Sequence, residues 1–236
     1  MKKYFPNKHP IVFFSICLAV LFFFSPLLAI SSSAQPKETP DSIRFKTLGC
    51  LYRAIQALND RNVRFKALQE ELEDMHPLEP QSMDSSHITS NIAKVRKYLL
   101  FLESHRSQLG KNVRVFSDSI LILSALMNTD EEKGALVNFL KAYKEESAAF
   151  INYSQRLSLM LTDTRNALMF LLTVPMERKG NDVTFNTDKS ANEKYLDFES
   201  KISADQMQVD QAIERSIKMT EKENKVIMEA TTLLNK

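Results

Sequence analysis

Few side chains in this chain have the type and spacing that chemistry demands, and each can be held against the reaction it would serve. Glu73-Asp74-Met75-His76 puts a carboxylate and an imidazole three residues apart. A di-metal centre in a helical bundle needs that pair on two helices, with further glutamates on the others. It occurs once here, directly before Pro77, so no metal or cofactor is assigned. The phosphate-binding glycine loops, the Gly-x-Ser-x-Gly elbow and the Cys-x-x-Cys-His haem motif are absent, and no catalytic residue is assigned.

Arg106 stands alone in the middle of an apolar seam. Counting along the helices brings Ser154, and Asp205 or Asp210, to its height, with Asn62 and Gln56 nearby. Those residues would make a polar layer or a small-ligand pocket, with Asp205 as the ion partner of Arg106. The alternative is an arginine whose head reaches water along an apolar stem. Cys50 is the one cysteine beyond the first 34 residues, so it reads as a buried small hydrophobe or as a thiol for an intermolecular bridge. The stretch 174–190 reads VPMERKGNDVTFNTDKS, in which Pro175 stops a helix and Gly180-Asn181 signals a turn. A protruding loop or short β-hairpin is expected there, with Arg178, Lys179, Val183 and Phe185 as an interaction surface or as a plain connector. The sequon Asn152-Tyr153-Ser154 falls inside a helical pattern.

The elements that would position these groups are helices. Steps of three and four from Ile88 to Met127 meet eleven apolar residues in twelve, interrupted by Arg106 alone. A second run starts at Leu136 and reaches Leu171, with Ser147, Ser154 and Thr164 as small exceptions. A third, weaker run goes from Ala191 to Leu233 through Asp205, Ser216 and Glu223. The first helix carries Leu51, Leu58, Phe65 and Leu72 seven residues apart, with Leu48 and Ile55 between them and Asn62 and Gln69 interrupting. Helices are expected over 43–75, 86–127, 131–173 and 190–234. A 3.5-residue repeat implies coiled-coil-like packing, and the short link at Asn128-Thr129-Asp130 implies antiparallel neighbours. The fold expected is all-α, an elongated up-down-up-down four-helix bundle over 43–236. Leu100, Phe101, Leu121, Ile122, Phe139, Met160 and Phe170 widen the apolar stripes, which suits a bundle better than a two-stranded coil. Only four glycines among 236 residues agree with long helices and few turns.

The first residues read as an address. Lys2, Lys3 and Lys8 precede twenty uncharged residues over 11–30, and Ser31-Ser32-Ser33-Ala34 follows. That layout predicts a signal peptide over 1–34, cleaved between Ala34 and Gln35, with a short linker over 35–42. The alternative is an uncleaved anchor touching the membrane through 11–30, since twenty apolar residues can span a ~30 Å hydrocarbon core. Either way the remainder is expected outside the cytoplasm, periplasmic or extracellular. Taking the three lysines from 31 basic residues leaves 28 against 29 acidic. So even a balance offers no footprint for nucleic acid or anionic lipid. The expected partner is a protein, or a second copy of the chain. The function expected is a non-enzymatic interaction or structural module of the cell envelope. Two alternatives stand beside it: a ligand-sensing bundle, similar to the extracytoplasmic four-helix domains of chemoreceptors, and a secreted helical pore-former.

Overall fold

Helix α1 (Pro40–Glu73), helix α2 (Ser85–Leu126), helix α3 (Asp130–Leu171) and helix α4 (Lys189–Leu234) make up nearly all of the computed structural model, which describes residues 39–73, 84–175, 177–179, 182–184 and 189–235. Their starts have local causes. Thr39 accepts the Ser42 backbone N–H at 3.3 Å, and Pro40 takes the first helical position, where a missing N–H costs nothing. Asp84 caps α2 by accepting from the backbone of Ser86 and His87. These bonds, first that of the Ser86 hydroxyl, hold its carboxyl well below the usual carboxylate range.

Thr129 and Glu132 form a reciprocal capping box at the start of α3. Glu132 is also gripped from α1, where Arg44 Nε donates to Oε1 at 2.7 Å. Burial pushes the Glu132 carboxyl up, but the Arg44 and Thr129 bonds outweigh it and leave it below its ordinary value. Thr129→Ala removes the box and should cost about 1 kcal/mol, read as a lower denaturation midpoint at unchanged slope.

Between α3 and α4, β1 (Glu177–Lys179) and β2 (Asp182–Thr184) pair antiparallel, with Arg178 opposite Val183. No helix among the described residues is long and apolar enough to cross a membrane. The proposed cleavage site at Ala34 and Gln35 and the segment 11–30 lie outside the described residues.

The helices pack as a bundle in which α3 buries residues along two stripes, among them Phe139, Tyr143, Glu146, Phe150, Leu157 and Leu168. Phe116 of α2 meets Phe139 and Tyr143, and Arg106 meets Ser154 and Ser158. From α4, Lys222 meets Glu145, Gln208 meets Arg156, and Phe198 meets Phe170. From α1, Arg61 meets Glu146 and Phe65 meets Phe150.

Burial departs from the sequence expectation in two places. On α1 the residues buried beside Leu51, Leu58 and Phe65 are Ala54, Arg61 and Leu68, while Leu48, Ile55 and Asn62 are half-buried. A seven-residue repeat has two flanks, and here the other one faces the neighbours. On α2, Leu100, Leu121 and Ile122 are exposed rather than packed, whereas Phe139 and Met160 of α3 are buried.

The core itself is divided. One apolar cluster holds Phe65, Leu102, Phe150, Leu161, Leu168 and Ile202. The other holds Leu51, Ile120, Leu136, Phe139, Ile227 and Leu234. On α1, α3 and α4 the two are interrupted and buried polar residues stand in the gap, while half-buried Val113 of α2 packs against both.

Candidate functional site

The interruption is built from Arg61 on α1, Glu146 and Ser147 on α3, and Ser216, Thr220 and Glu223 on α4. On α1 the apolar clusters break after Ala54 and resume at Phe65, and Arg61 lies between. On α3 they break after Tyr143 and resume at Phe150, and on α4 after Ala212 and before Ile227. Arg61 is 6% exposed, and Glu146 and Glu223 are fully buried. Such charges survive away from water only when paired and hydrogen-bonded.

Arg61 and Glu146 meet that condition. Nη1 donates to Oε2 at 2.9 Å and Nη2 donates to Oε1, the two-pronged geometry a planar guanidinium favours. The Thr220 hydroxyl adds a donor to Oε1 at 3.2 Å. The guanidinium carbon lies 4.4 Å from the centre of the Phe150 ring, which also meets the Phe65 ring edge-on at 4.5 Å. The ion pair therefore ties α1 to α3, and Thr220 extends it to α4.

Glu223 does not meet it. Neither carboxyl oxygen has a hydrogen-bond partner, and Arg61 Nε and the Ser147 hydroxyl are likewise unpaired. Burial, and then the charge of Glu146, push the Glu223 carboxyl up to about 8 against the opposing pull of Arg61. Burial and the nearby Glu223 push the Tyr143 phenol up to about 12, again with Arg61 opposing. His105 on α2 is held below its usual value by burial, then by Arg61 and Arg64. One guanidinium thus faces two carboxyl groups, and a neutral Glu223 balances the layer. The arrangement can hold a proton and fix the register of three helices.

Comparison of the whole chain with protein-family models, curated proteins and solved structures found no match.

The residues singled out in the sequence are distributed otherwise. Arg106 is half-buried and donates from Nη1 to the Ser154 backbone oxygen at 3.0 Å and to the Ser158 hydroxyl at 2.7 Å. The Ser154 hydroxyl is buried and unpaired. Asp205 interacts instead with Asp163 and Arg156. Burial, then the charge and hydrogen bond of Asp163, raise its carboxyl above the ordinary value.

Asp205→Asn should therefore raise the thermal midpoint near neutral pH. A raised folded-state value means that the aspartate stabilises less as the pH rises, so the gain over wild type should shrink on acidification. Melting curves at two pH values check it.

Cys50 is buried, with Arg53 Nη2 at 3.0 Å from its sulfur. Asn152 and Tyr153 lie within α3, and Tyr153 is buried. The side chains of Arg178, Lys179 and Val183, and all of Phe185, lie outside the described residues, as do the side chain of Glu73 and residues 74–76. No group of three or more metal-ligating side chains occurs among the described residues.

The residues missed were Arg61, Glu146 and Glu223. Glu223 had a signal, since it occupies a seam position of the α4 repeat. Arg61 has a signal as well, since it lies with Ala54 and Leu68 on the second flank of the α1 repeat. Glu146 carries no mark beyond its place next to the seam residue Ser147.

Proposed function

We infer that this chain is an exported, non-enzymatic helical-bundle protein, acting as an interaction or structural module of the cell envelope. The observation that carries this reading is the outer flank of α2. Leu100, Val115, Ile122 and Leu126 are 60%, 66%, 63% and 44% exposed. At 3.6 residues per turn they fall within an arc of about 80° and extend along roughly 39 Å of helix. Exposed Ser104, Gln108, Lys111 and Asp118 share that arc, so the face is a mixed one, with apolar side chains spaced along it that suit a partner helix laid lengthwise.

An up-down-up-down order completes the proposal. Partner numbers fall on α3 as they rise on α2 and on α4, and they rise together on α1 and α3, which supports alternating directions. The seam positions of α2 and α3 support heptad packing. The paired strands β1 and β2 fit a loop protruding at one end of the bundle. Export rests on residues 1–34 alone.

The test is a photoactivatable residue placed at Val115 or at Ile122, compared with one at exposed Arg215 on α4, in the protein's own envelope. One adduct formed from both α2 positions and not from α4 supports the module. Equal labelling from all positions, a co-purified small molecule as the sole occupant, or vesicle leakage would favour another reading.

A further inference from the structure

The buried layer holds more acid than base. Arg61 commits both terminal nitrogens to Glu146, which leaves Glu223 without a donor on either oxygen and without contact with solvent. An ionised carboxylate in that position is far more costly than a neutral acid, because no described protein donor bonds either oxygen to replace its hydration. We propose that the layer is a proton-binding site, in which one proton held on the Glu223 carboxyl lets α4 close against α1 and α3, and its release to solvent loosens α4 beyond Ser216.

Every helix packed at this level contributes to the site's electrostatics. Arg61 faces it from α1, and Tyr143 and Glu146 face it from α3. From α2, His105 is coupled to it through Arg61, and buried Ser117 turns its hydroxyl to the Val113 backbone oxygen. On α4 itself Thr220 donates to Glu146. The exposed pair Lys222–Glu145 closes the outside of the same turn. With the Tyr143 phenol pushed up to about 12 and His105 held below its usual value, Glu223 is the perturbed group of the layer shifted to about 8.

The sign follows from the direction of the shift. A carboxyl raised from 4.5 to about 8 in the folded protein contributes most below its unfolded value. That contribution is lost as the pH climbs towards about 8, and the loss is complete above it. Acidification tightens the bundle, and mild alkali loosens it. The apolar cluster beyond the layer, with Ile227, Ala230 and Leu234 from α4, is the part released.

Hydrogen exchange on the full chain, corrected for intrinsic amide rates, tests this between about pH 5.5 and 9. The opening equilibrium of residues 216–235 should rise by up to ~tenfold per pH unit until about pH 8, then level. Glu223→Gln, a permanently neutral amide of the same shape, should abolish that slope. An unchanged slope in the variant, a flat wild-type profile, or an equal loss of protection in α2 would overturn the proposal. Should the variant not fold, infrared spectra of the wild type decide. A protonated-carboxyl band at about pH 6.5 that disappears by about pH 10 is expected, and its absence at the lower pH overturns the proposal.

Discussion

Arg61→Leu should lower the unfolding free energy by about 3–5 kcal/mol, the usual cost of removing one partner from a buried ion pair. The size follows from what stays behind. Glu146 and Glu223 are both fully buried, and the Thr220 hydroxyl would be the one remaining hydrogen-bond donor to Glu146. The packing of the guanidinium on Phe150 goes as well. In a chain of this length each kcal/mol moves the thermal midpoint by roughly 2–4 °C, so a fall of the order of 10 °C is expected. Arg61→Lys should recover little of the loss, because an ammonium cannot reproduce the two parallel bonds to Glu146. Denaturant unfolding of both variants checks the result.

Replacing Arg61, Glu146 and Glu223 together by leucine should do the opposite. Exchanging a buried charged group for packed apolar side chains is commonly neutral or stabilising, by roughly 1–4 kcal/mol. Here the exchange would also join two apolar clusters that the layer now separates. The three effects are strongly non-additive because the residues share one network. The triple variant should also lose the decline of stability that runs up to about pH 8, since Glu223 carries that part. Matched melts of wild type, Arg61→Leu and the triple variant are the check. A triple variant weaker than Arg61→Leu would show that the layer stabilises outright rather than fixing how the helices meet.

The parts of the fold that follow from one helix at a time were legible in the sequence. The seam expected from Ile88 to Met127 lies on α2, where Ile88, Val95, Leu102, Leu109, Ile120 and Leu123 are buried. The start of α2 is likewise local, because Asp84 directly before the helix caps it. The candidate site was scarcely legible, because it depends on registers between helices. Residues 74–83 and 174–190 link helices of different lengths, so counting residues fixes heights across them poorly. Residue counting therefore puts Asp205 beside Arg106, although its partners are Asp163 and Arg156.

The α1 repeat posed a second ambiguity. Leu51, Leu58 and Phe65 can be flanked by Ile55 and Asn62 or by Ala54 and Arg61, and apolar content favours the wrong side. An arginine on a seam looks like an error until its glutamate, 85 residues away, is known.

The central claim is that a buried Arg61–Glu146 pair ties α1 into the bundle. A double-mutant cycle measures it most directly, using Arg61→Leu, Glu146→Leu and the combination, all compared by denaturant unfolding. The account predicts that the two losses fall short of adding by at least roughly 2 kcal/mol, within the range of directly coupled groups. Losses that add to within about 0.5 kcal/mol, as for independent sites, would contradict it.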